Sequence, residues 1–113
     1  MKQITLNIGG EDRVFYFGLG FLGNLLEIEN ISISDFDELE IKNPVRHVNL
    51  LMYHSLAWGY IRKNEECPFN KLDVMNWIDD SYGVVEKFKM ALKQSFIKDV
   101  PIQPEDKKKV KAK

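Results

Sequence analysis

Two short alternating segments joined through a pair of glycines limit the folds open to this chain more than any other feature. Ile4, Leu6 and Ile8 share one face of a strand with Thr5 and Asn7 on the other, Gly9-Gly10-Glu11-Asp12 turns, and Arg13-Val14-Phe15-Tyr16-Phe17 alternates again. The pattern predicts a β-hairpin with strands over 3–8 and 13–17. In the second strand Phe15 and Phe17 oppose Val14 and Tyr16, so both faces are apolar and need cover from helices or from a second subunit. A lone two-stranded ribbon is only marginally stable in water, so the hairpin must pack on a helical body or pair through an edge.

The rest of the chain supplies that body. Gly18, Gly20 and Gly23 lead into a helix running through about Glu29, with Leu22, Leu25, Leu26 and Glu29 at helical spacing. The three glycines fit G-x-G-x-x-G, but a dinucleotide site needs a parallel βαβ unit with an acidic residue closing its second strand, and here a hairpin precedes and a short helix follows. They mark instead a tight strand-to-helix corner and close helix packing. Ser34 reads as an N-cap, with Asp35, Asp37 and Glu38 in the first turn where the helix dipole favours anions. The acidic run 35–40 lacks the glycine and ligand spacing of a calcium loop.

Asn43-Pro44 is an N-cap followed by proline at the first helical position, and predicts a helix over about 44–63. Few polar residues interrupt it, so it is the expected central helix. Gly59 inside it costs about 1 kcal/mol relative to alanine unless another backbone crosses there, which is the expectation. Asn70 caps a further helix over about 71–80, Gly83 stands where a left-handed C-terminal residue belongs, and 84–98 carries Val85, Phe88, Leu92 and Phe96 on one stripe. Pro101 and Pro104 end regular structure, and the residues beyond have almost nothing apolar to bury. The expected architecture is α+β and mainly helical: an N-terminal β-hairpin on a bundle of about four helices in one domain over 1–100, then a disordered basic tail over 101–113.

Charge is divided unevenly. The 113 residues carry a net −1, yet residues 105–113 hold five lysines against Glu105 and Asp106, a local +3 that leaves −4 elsewhere. A mildly acidic body repels nucleic acid. No apolar stretch approaches the roughly 20 residues that span a bilayer, and no signal peptide opens the chain, so a cytoplasmic protein is expected. Cys67 is the single cysteine, so no internal disulfide can form.

No set of residues suggests catalysis. His47 and His54 are seven residues apart on one helix, whereas ligands to a shared metal ion need spacings of three or four. Asp79 and Asp80 are adjacent and diverge by about 100° on a helix. Cys67 lacks a neighbouring base in the sequence. The expectation is no enzyme, no metal and no cofactor. Tyr60, Trp58, Trp77 and Tyr82, with Phe15 and Phe17 of the hairpin, are instead candidate partner-binding residues, because aromatic side chains, above all those with one polar end, anchor protein interfaces.

The segments Ile8-Gly9-Gly10 and Tyr16-Phe17-Gly18-Leu19-Gly20-Phe21-Leu22, the aromatic-rich helix 44–63, the stretch Val74-Met75-Asn76-Trp77-Ile78-Asp79-Asp80 and the amphipathic last helix together resemble the small tail assembly chaperones of long-tailed bacteriophages and prophages, in their short-frame form. The resemblance implies a protein that coats the tape measure protein, keeps it soluble and helps recruit tail tube subunits. It implies self-association, a place in the host cytoplasm, absence from the mature virion, and a longer product made by programmed frameshifting. Lys107-Lys108-Lys109 suits the last point, since consecutive lysine codons can spell a slippery run. The competing class is a small adaptor or transcriptional regulator, which needs a recognition helix with basic and amide residues facing DNA.

Overall fold

The computed structural model describes the backbone of residues 3–99 and the side chains as far as Ser95. Strands β1 (Gln3–Ile8) and β2 (Glu11–Tyr16) form a two-stranded antiparallel hairpin, and five helices follow: α1 (Leu19–Glu29), α2 (Ile33–Lys42), α3 (Pro44–Arg62), α4 (Lys71–Asp80) and α5 (Gly83–Asp99). The fold is α+β and mainly helical. The basic tail expected over 101–113 lies outside the described residues.

The hairpin turn is shorter than the sequence suggested. Ile8 pairs with Glu11, so only Gly9 and Gly10 form the loop, with φ of 66° and 86°. Both central residues thus hold the positive φ that a primed two-residue turn demands, and Glu11 and Asp12 are released into the strand. Phe17 falls just beyond β2 but keeps its inward direction and is buried.

Helix boundaries follow capping chemistry. Asn30 ends α1 in the left-handed region, with φ of 57°. The cap of α2 is Ser32 rather than Ser34: its hydroxyl accepts the Asp35 N–H at 3.0 Å, leaving Ser34 inside the first turn. The Asn43 side chain accepts the Arg46 N–H at 3.2 Å, with Pro44 opening α3. Asn70 and Asp73 complete a reciprocal capping box on α4. Gly83 does not close α4. Ser81 does, with its N–H on the carbonyls of Trp77 and Ile78, and Gly83 begins α5.

The core lies between the hairpin's inner face and the helices. Phe15 packs on Phe88 of α5 with ring centroids 5.3 Å apart, and Phe17 meets both Phe88 and Phe21 at 5.7 and 6.5 Å. Leu25, Leu50, Met52, Leu56, Val74, Ile78 and Val85 continue this single buried cluster. α3 is its centre, with nine consecutive or near-consecutive positions between Val48 and Ala57 buried.

Two glycines earlier in doubt acquire clear roles. At Gly59 the atoms that come closest belong to the Tyr16 ring of β2, and an added Cβ would stand 2.5 Å from it. Gly20 likewise receives the Trp58 ring, at 2.8 Å from a Cβ, whereas Gly23 faces open space. Gly18, with φ of 116°, makes the corner. Gly59→Ala should therefore cost about 1–3 kcal/mol through overpacking, while Gly23→Ala should be neutral or gain up to about 1 kcal/mol from helix propensity. Urea unfolding of both variants beside the parent checks the contrast.

Candidate interaction surface

The six aromatic residues singled out from the sequence divide into three groups. Phe15 and Phe17 are buried, at 0% and 5% exposure, so they belong to the core and present nothing to a partner. An edge-on view of the strand pattern could not separate this from exposure, because both faces of β2 are apolar. Trp58, Tyr60 and Trp77 are half-buried. Tyr82, in the link between α4 and α5, is 67% exposed.

Trp77 is held by the hairpin itself. Gly9 lies directly against its ring, where a Cβ would come within 2.6 Å, and the Arg13 guanidinium sits 4.2 Å from its centroid and 5.3 Å from that of Phe69. The same guanidinium donates from Nε to the Ile8 carbonyl at 3.0 Å and pairs with Glu11 at 3.2 Å. Arg13 thus sits on the inner face opposite Leu6, and its charge is satisfied by a carbonyl, a carboxylate and two aromatic faces. Phe69 joins this stack to Tyr60 at 5.8 Å and Tyr53 at 6.3 Å.

Beside β2 the stack opens into a cleft of about 240 Å³. Val14 and Tyr16 line one wall, Leu56, Gly59 and Tyr60 of α3 the other, with Phe69 at the base and Glu11, Asp12, Lys63 and Glu65 at the rim. Arg62 stands over the Tyr16 ring at 5.5 Å. Val14, Leu56, Lys63, Glu65 and Phe69 escaped the sequence reading because nothing in their spacing says that β2 lies along α3.

A second cluster also escaped it. Glu29 is the last residue of α1, where the carboxylate meets the negative end of the helix dipole. Its side chain is only 6% exposed and receives His54 Nε2 at 2.8 Å, Lys71 Nζ at 2.9 Å and, more distantly, Arg46 at 3.7 Å. An acid at the wrong helix end was the signal available in the sequence. Burial raises the Glu29 pKa, but the hydrogen bonds from His54 and Lys71 and the Lys71 charge outweigh it and hold the carboxyl below its ordinary 4.5. Burial lowers the His54 pKa below its ordinary 6.5, and the Glu29 partner only partly offsets this. His54 is therefore neutral, donating from Nε2–H, with a lone pair on Nδ1 that has no hydrogen-bond partner among the described residues. With both groups enclosed, the dyad ties α1, α3 and α4 together rather than serving a reactant.

The remaining candidates are equally local. His47 stacks on Phe36 at 4.6 Å, and burial lowers its pKa, with Glu40 working the other way. Cys67 donates to the Phe69 carbonyl at 3.4 Å, and burial raises its pKa, which disfavours the thiolate. No helix among the described residues is long and apolar enough to cross a membrane.

Elsewhere the surface keeps large apolar side chains in contact with water on every helix. Leu19 and Ile28 of α1, Ile33 and Ile41 of α2, Val45 of α3, Leu72 of α4 and Met90 of α5 are all exposed, Ile41 at 86%. Comparison with family models, with curated proteins and with solved structures finds no match to this chain.

Because the His54 and Glu29 pKa values are both lowered in the folded protein, the unfolded chain binds protons first as pH falls. Stability should be full above about pH 6.5, where neither state protonates these groups, and should decline as His54 and then Glu29 protonate in the unfolded chain. Thermal melts from pH 7.5 to 4 should show a falling midpoint. His54→Gln, which keeps a donor to Glu29 without a titrating ring, should reduce the slope between pH 7 and 5 and leave the part contributed by His47, whose pKa burial also lowers.

Proposed function

We propose that the protein is a phage tail assembly chaperone that coats the tape measure protein, keeps it soluble, and helps recruit tail tube subunits during tail morphogenesis. Its place of action is then the cytoplasm of the bacterial host, and it does no chemistry. The reading rests on the resemblance of the hairpin, glycine corner and helical body to that family. The structural observation that supports it is the spread of exposed apolar side chains over all five helices. A coat protein must hold a long apolar helix and later release it to the tube, and many weak contacts repeated along the partner do this better than one tight site.

The proposal is tested by co-expressing the chain with the long helical product of the neighbouring gene and weighing the complex after affinity capture. Several copies retained per partner chain, with the partner soluble, is the expected result; an unaccompanied and aggregating partner overturns it. Ile41→Lys with Leu72→Lys should leave the melting midpoint within a few degrees of the parent, since both side chains lie outside the core, yet at least halve the copies retained. A longer frameshifted form further requires a slippery run in the codons of Lys107-Lys108-Lys109 and an overlapping downstream frame. Gene sequencing and intact-mass analysis of the expressed products decide that point.

A further inference from the structure

Two helices carry opposite charges on flanks that the core does not use. α2 holds Asp35, Asp37, Glu38 and Glu40 against Lys42. Over its described side chains α5 holds Lys87, Lys89 and Lys93 against Glu86. Helical phase sorts these residues into sides. In α2, Phe36 and Leu39 turn inward, Phe36 onto the His47 ring. Ile33, Asp37 and Ile41 follow at every fourth position with Glu40 beside them, and all four are exposed, Ile41 at 86%. In α5, Val85, Phe88 and Ala91 turn inward, while Lys89, Met90 and Lys93 share an exposed flank, Met90 at 62%.

The two flanks lie on one side of the molecule. The charges of Asp37 and Glu40 from α2 and of Lys89 from α5 all act on the half-buried ring of His47. They do not neutralise one another by direct contact. Among the described residues no hydrogen bond or salt bridge joins Asp37 or Glu40 to Lys89 or Lys93, and the acid of α2 that is paired is Glu38, with Lys42 at 3.2 Å. This side is thus negative along α2, positive along α5, and apolar at Ile33, Ile41 and Met90.

We propose that this side is a contact surface between two copies of the chain, related by a two-fold axis running between α2 and α5, with the acidic flank of each copy on the lysine flank of the other. Such an axis exchanges left for right across the contact, so a surface negative along one helix and positive along its neighbour is complementary to itself. Asp37 and Glu40 face Lys89 and Lys93 in both halves of the contact. Ile33, Ile41 and Met90 supply its apolar cover. Any arrangement that set like flanks together would oppose acid to acid and lysine to lysine, which selects against it. The interface is isologous and closes at two copies. The lysines of 105–113 are the competing source of positive charge for α2, and the test separates them from α5.

The pairing rests on the coat-protein reading for its purpose alone; its test uses no tape measure partner, so each can fail without the other. Sedimentation of the full chain over a range of concentrations should reach twice the monomer mass. Raising salt from about 0.1 to 1 M shortens the screening length from roughly 10 to 3 Å and should raise the dissociation constant about fivefold or more. Asp37→Lys with Glu40→Lys reverses one flank, and Lys89→Glu with Lys93→Glu reverses the other. Each variant alone should stay monomeric with a melting midpoint near that of the parent, since all four side chains are exposed. Their equimolar mixture should form a one-to-one dimer, because a wholly positive side then meets a wholly negative one. A parent that is monomeric at every concentration, a dimer indifferent to salt, or a mixture that stays monomeric overturns the proposal. So does a dimer lost on reversal of α2 but kept on reversal of α5, which would put the lysines of 105–113 on the acidic helix. Should a reversed variant fail to fold, Lys89→Gln with Lys93→Gln decides: the dissociation constant should rise about tenfold, and an unchanged constant overturns the pairing.

Discussion

Everything in this protein depends on the burial of Phe15 and Phe17 against Phe88. A two-stranded ribbon does not hold itself together in water, and Phe88 of α5 and Phe21 of α1 close on these two rings from beneath. Once these aromatics are engaged, the outward geometry follows. Gly9 is pressed on Trp77, Arg13 is caught between Trp77 and Phe69, and Tyr16 drops onto Gly59. These contacts join the hairpin to α4, to the loop before it and to α3, so the ribbon organises the body as much as the body supports the ribbon.

That arrangement separates two kinds of aromatic residue which look alike along the chain. Phe15 and Phe17 are spent on the core, whereas Tyr82 remains in water and Tyr60 lines the cleft beside β2. The exposed apolar surface therefore comes less from aromatics than from isolated apolar side chains on all five helices. Scattered side chains of this kind suit the repeated weak contact that the proposed coat role calls for.

The Glu29 cluster shows how the helices are held in place without further apolar area. A carboxylate at the end of α1 is poorly placed for its own helix, and it is satisfied by His54 of α3 and Lys71 of α4. Burial of an acid without such partners is costly. The three helices are thus fixed relative to one another by a single buried charge, in a way that responds to acid.

Much of the architecture was legible because its signals are local. The Gly9-Gly10 turn, the Asn43-Pro44 start of α3 and the Asn70 cap of α4 act through hydrogen bonds and dihedral preferences within four residues, so the sequence by itself determined the hairpin, the helices and nearly all their bounds. Where local signals competed, as between Ser32 and Ser34 or at Gly83, the boundary moved by a few residues. What only the tertiary structure decided involves residues far apart in the chain: that the Tyr16 ring rests on Gly59, that Glu29 meets His54, and that Phe15 and Phe17 face inward onto Phe88. Such contacts depend on which elements become neighbours, and a one-dimensional pattern of apolar and polar residues carries the direction of a side chain without the identity of what it meets.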